Sequence, residues 1–131
     1  MLLNIASRAQ KLAEDETHFS QDALKEISIM ESLCNNILDE LIILDYDEFK
    51  NIVDKVDIME DNIDKTQHQF TVNQLIRLKE KKCSTENSII YTKILTDFER
   101  IGDHGLNIAE SLYHIRKIMK QMKMIKPEIE E

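Results

Sequence analysis

Apolar residues recur at spacings of three and four along three long stretches of this chain. The first reads Ile27, Met30, Cys34, Ile37, Leu41, Leu44, and the second Phe49, Ile52, Val56, Met59, Ile63, Thr66, Phe70. The third is the most regular: Ile94, Phe98, Ile101, Gly105, Ile108, Leu112, Ile115, Met119, Met122. Such spacing lays each set along one stripe of an α-helix, the pattern of helices packed side by side in left-handed bundles. The interruptions are short. Asp45-Tyr46-Asp47 closes the first stripe and offers Asp47 as an N-cap for the second helix. Lys79 to Thr85 separates the second stripe from the third, with lysines suited to a helix C-terminus and Ser84 or Thr85 suited to the next N-cap. Short connections make consecutive helices antiparallel neighbours. The pattern predicts an all-α fold, an antiparallel three-helix bundle over residues 20–124, with helices near 20–45, 47–80 and 85–124.

Outside this core the pattern weakens. Leu2, Ile5, Ala9, Leu12 and Ala13 form a short amphipathic set that Glu14-Asp15-Glu16 interrupts, so residues 1–19 read as an N-terminal helix or a linker. Pro127 lies past the last stripe and makes 125–131 a flexible acidic tail.

Composition narrows the function classes. Of 131 residues only 2 are Gly and 1 is Pro, and Trp is absent, which suits helices and leaves little turn chemistry. A net charge of −8 argues against a nucleic-acid partner and is compatible with binding multivalent cations. Cys34 and Cys83 make neither a disulfide framework nor a zinc motif; two free thiols suit a reducing cytosol. No apolar run approaches the roughly 18 to 20 residues of a membrane span, and no signal-peptide core is present. The expected location is cytoplasmic, with any tether to the inner face of the membrane supplied by a partner or by a segment outside this chain. No Ser/His/Asp triad, P-loop or dinucleotide fingerprint appears, so the expected role is non-enzymatic.

The chemistry concentrates between Asp97 and Glu110, a run that holds both glycines, three residues apart, inside the third stripe. A glycine in a helix interior costs about 1 kcal/mol relative to alanine. Beside them, Glu99 and Asp103 lie one turn apart on one face, turned outward relative to Ile101 and Gly105. Glu60 and Asp64 repeat the spacing on the second helix, with Asp57 one turn earlier. If the two helices are neighbours, four or five carboxylates converge, a donor set for iron, manganese, magnesium or zinc. The plainer reading is a solvated acidic face, since 25 acids make such pairs common. Gly102 counts against it, because an exposed face has no use for a glycine there, whereas close approach to the backbone does.

Other features carry rival readings. A metal-free helical interaction module fits the same stripes, and His104 on an exposed helix face suits a histidine phosphotransfer domain. Leu95 and Ala109, with Gly102 between them, form a second semi-apolar strip with a notch, a candidate face for a homodimer. Arg116, Lys117, Lys120, Lys123 and Lys126 form a basic helix end that complements the helix dipole or meets anionic lipid or an acidic partner.

The run Asp97-Phe98-Glu99-Arg100-Ile101-Gly102-Asp103-His104, followed by Asn107-Ile108-Ala109-Glu110, resembles the signature of the PhoU family of phosphate-transport regulators. Val56-Asp57-Ile58-Met59-Glu60 and Ile63-Asp64 are similar to the family's earlier motif, on the preceding helix. The resemblance covers roughly residues 20–123. It implies a three-helix bundle, repeated twice in a full-length PhoU but present once here, as in the single PhoU domain at the C-terminus of bacterial sodium/phosphate cotransporters. It also implies surface metal clusters, iron or zinc above all, on Glu/Asp-x-x-x-Asp pairs. These correspond to Glu60/Asp64 and Glu99/Asp103, with Asp57 as the next ligand. The implied partner is the membrane domain of a phosphate transporter or its transport machinery.

Overall fold

The computed structural model describes residues 19–42 and 49–122, and these form three α-helices: α1 (Gln21–Ile42), α2 (Phe49–Lys79) and α3 (Thr85–Gln121). Each helix packs against both others, as the three stripes require, and α2 makes its most extensive contact with α3. The expected Asp47 cap and the readings of residues 1–18 and 123–131 fall outside the described residues.

The core is built from the predicted stripes. Met30, Cys34 and Ile37 of α1, Ile52, Val56 and Ile63 of α2, and Ile94, Phe98 and Ile101 of α3 are buried together. The Cys34 thiol donates a hydrogen bond to the Phe98 carbonyl at 3.2 Å, and burial pushes its pKa up to about 12. It is a packing residue rather than a nucleophile.

Helix ends follow sequence chemistry with one substitution. Ser84 caps α3, its hydroxyl accepting from the Asn87 amide at 3.1 Å. α2 closes with paired bonds from Lys82 N–H to the Arg77 carbonyl and from Lys81 N–H to the Leu78 carbonyl. This is the Schellman arrangement, which ordinarily has glycine at its left-handed position. Here Lys81 holds that place at φ 60°.

Both glycines sit instead in α3, each against a different neighbour. A Cβ at Gly105 would stand 2.5 Å from Cγ2 of Ile37 on α1, and one at Gly102 would stand 3.1 Å from Cδ1 of Ile63 on α2. The glycines therefore let both neighbours close onto α3. The strip expected to serve a dimer is part of this core: Leu95 and Ala109 are fully buried, and Gly102 is occupied by Ile63. The reason is that α3 needs a face wide enough for two helices, so its apolar arc spans both flanks of the stripe.

The contact of Ile37 with Gly105 places the end of α1 level with about residue 110 of α3, at equal rise per residue. The last three turns of α3 therefore run on beyond α1.

Candidate metal centre

Gly102 determines what happens beside it. Ile63 seats against Gly102, so the neighbours Asp64 and Asp103 meet across a narrow seam between α2 and α3. Glu60 lies one turn before Asp64 and joins them. Each of Glu60, Asp64 and Asp103 offers a carboxylate oxygen, and the three oxygens lie within 4.8 Å of one another. All three residues, and Glu99, are half-buried. They are thus held in the seam between two helices rather than turned fully outward, because α2 shields the flank of α3 that carries them.

The electrostatics are those of crowded acids. The Glu60 carboxyl is pushed up to about 8, first by burial and then by hydrogen bonding and repulsion with Asp103 and Asp64. Glu99 is raised by burial and by the charges of Asp103 and Asp64, with Arg100 opposing. Asp64 Oδ1 is buried and has no hydrogen-bond partner. A buried carboxylate oxygen without a donor is costly, and a cation is one means of satisfying it. An all-carboxylate set suits hard cations and accepts zinc.

Crowding has a consequence for pH. Folded Glu60 keeps its proton up to about 8, whereas the unfolded chain releases it near the ordinary 4.5. Over that window the folded state binds more protons, so stability falls as pH rises. The metal-free protein should therefore show a thermal midpoint that declines from about pH 5 to about pH 8. Asp103→Asn, which removes one neighbouring charge, should flatten the decline. A midpoint independent of pH across this window in the parent would contradict the crowding.

The other expected positions separate cleanly. Asp57 is exposed and does not join the group of three. Asp61 also faces outward, paired with Lys65 at 2.8 Å. His68, His104 and His114 are exposed.

A second polar centre was not anticipated. At the start of α1, Glu26 is buried and bound by groups from both other helices. Arg77 Nη2 donates to Glu26 Oε1 at 2.6 Å, Asn73 Nδ2 to Oε2 at 2.8 Å, and the Tyr91 hydroxyl also to Oε1. The Arg77 guanidinium lies 5.4 Å from the Tyr91 ring centroid, and Phe19 meets that ring edge-on. Gln74 extends the network, accepting from Arg77 Nε at 2.8 Å and donating to Ser88 at 3.1 Å. Burial opposes charge on Glu26, but hydrogen bonds from Arg77, Tyr91 and Asn73 outweigh it and hold the carboxyl below its usual range. Both oxygens of Glu26 are satisfied, and this centre ties three helices together.

A helical bundle with a carboxylate-lined seam between two of its helices carries a candidate cation site. Residues 27–112, about two thirds of the chain, match the PhoU domain, and the protein belongs to the PhoU family. It is 27% identical over 120 residues to the phosphate-specific transport system accessory protein PhoU homolog 1 of Thermotoga maritima. That alignment covers 90% of this chain and 51% of the relative, so the chain spans about half the length of the curated protein it matches. No solved structure matches it significantly. Among the described residues, no helix is long and apolar enough to cross a membrane.

Proposed function

We propose that this domain is a non-enzymatic regulator of phosphate transport whose α2–α3 seam holds a di- or trivalent cation. The observation that carries the metal reading is the meeting of Glu60, Asp64 and Asp103, one of whose members, Asp64, also holds a buried oxygen without a donor. Family membership and the printed name of the Thermotoga relative support the phosphate-transport reading. Glu60, Asp64 and Asp103 would hold the ion, with Glu99 completing the set and Asp57 within one turn of Glu60. Iron and zinc are the ions the family resemblance favours, and manganese and magnesium suit the same oxygens. The bound ion would supply positive charge that cancels carboxylate repulsion across the seam, and so would couple ion occupancy to helix spacing.

The natural setting is the inner face of the membrane, beside a phosphate transporter or its machinery. Two copies of this chain together match the length of the Thermotoga relative, and a twofold homodimer is the simplest such assembly.

Metal titration followed by thermal unfolding tests the site. Iron, zinc or manganese should raise the midpoint of the parent, since a ligand that binds only the folded state stabilises it. Glu99→Gln combined with Asp103→Asn should abolish the rise while leaving the metal-free protein as stable as the parent, or more so, because repulsion is removed. A double variant that responds to each metal like the parent would place binding elsewhere. A parent that responds to none would favour the metal-free interaction module.

A further inference from the structure

The C-terminal end of α3, most of it beyond the end of α1, is chemically unlike the rest of the molecule. Ile108, Ile115, Ile118 and Met122 are 47%, 52%, 39% and 64% exposed. Ile108, Ile115 and Met122 repeat every seven residues and so share one side of the helix. α1 ends at the same level on Ile42, which is 79% exposed. Four large apolar side chains along one exposed helix flank mark a surface that meets something apolar.

The charge around them says what. From Ser111 to Lys126 the sequence carries Arg116, Lys117, Lys120, Lys123 and Lys126 and no Asp or Glu, in a chain whose net charge is −8. Lys117 and Lys120 are exposed. Positions 117 and 120 lie away from the side that carries Ile108, Ile115 and Met122, by the 100° step of the helix. From Ser111 onward, past the exposed Glu110, an apolar side is joined to a polar side whose charged residues are all basic, the pattern of a helix that lies in a membrane interface. A second copy of the chain is a poorer occupant. A twofold contact is self-complementary, so it would bring two basic runs together.

We propose that the end of α3, residues 111–122, docks the domain on an anionic lipid surface, with Ile115, Ile118 and Met122 entering the interface and Lys117 and Lys120 drawn by the headgroups. The remainder of the domain is acidic and is repelled by such a surface, which orients the bundle end-on. The inference is independent of the metal reading, since it uses none of Glu60, Asp64, Glu99 or Asp103.

Co-sedimentation of the full chain with vesicles decides it. Binding to vesicles of phosphatidylcholine with about one third phosphatidylglycerol should exceed binding to phosphatidylcholine alone by about tenfold or more, and should weaken as salt rises. Lys117→Glu with Lys120→Glu should lower binding by about tenfold or more. Ile115→Ser with Ile118→Ser should lower it too, without loss of helical circular dichroism, because both side chains are exposed. Absence of binding to the anionic vesicles overturns the proposal, as does equal binding by parent and both variants. So does a dimer by light scattering that Ile115→Ser with Ile118→Ser converts to monomer while vesicles capture nothing, which would assign the face to a second copy.

Discussion

Arg77→Met should cost the domain about 3–5 kcal/mol, the usual effect of removing one partner from a buried ion pair. The side chains of Arg77 and Glu26 are only 11% and 10% exposed, so the carboxylate left behind can recover little solvation. Tyr91 and Asn73 remain as donors to Glu26, but neither carries charge. The variant also has a pH signature. In the parent the Glu26 carboxyl lies below its ordinary range, so its contribution is present above the unfolded pKa and is lost as pH falls through the folded one. Without Arg77 the same carboxyl is buried unpaired and moves upward, so the variant should recover part of its deficit on acidification. Glu26→Met combined with Arg77→Met should restore much of the lost stability, because both charges leave together. Urea unfolding at about pH 5 and pH 7 measures all three. An Arg77→Met loss under about 1 kcal/mol would mean that the pair is solvated and behaves as a surface bridge.

Ile101→Asp should leave the domain unfolded or nearly so. Ile101 is 7% exposed and belongs to the buried apolar cluster on the face of α3 that packs against α1 and α2. An unpaired carboxylate there must either lose its charge or open the bundle. Either cost is comparable with the roughly 5–15 kcal/mol that holds a typical domain folded. Ile101→Val, by contrast, should cost about 0.5–1.5 kcal/mol. Far-ultraviolet circular dichroism and thermal melts distinguish the pair, and near-parental stability for Ile101→Asp would show that this stripe does not face the core.

How far the sequence speaks depends on the range of the interaction. The stripes located α1, α2 and α3 to within a few residues, because period alone decides which face of a helix is buried. The pairs Glu60/Asp64 and Glu99/Asp103 were visible for the same reason: spacing puts both members of each on one face. Which acids meet across the seam was not visible, because it depends on the depth to which α2 settles against Gly102, and Asp57 is exposed for that reason of orientation. The Glu26 centre did leave a trace. Ala23, Glu26 and Met30 continue the spacing of the first stripe toward its start, which puts an acid at a core position, and Tyr91 does the same three residues before Ile94. An acid on a core stripe demands a partner, but only the tertiary arrangement names Arg77. Asp97 leaves the same trace, three residues after Ile94 and four before Ile101, and it is 1% exposed.

Gly102 makes the acidic seam depend on a residue that has no side chain. The reach between Asp64 and Asp103 is fixed by how near Ile63 can come to the α3 backbone, and a single methyl at position 102 would stand 3.1 Å from Ile63. Evolution can therefore retire this site without altering any acid. A descendant that kept Glu60, Asp64, Glu99 and Asp103 but replaced Gly102 with a bulky residue would retain the letters of the motif and lose its spacing. The glycine is the residue to inspect first when the four acids are used to infer shared chemistry among related chains.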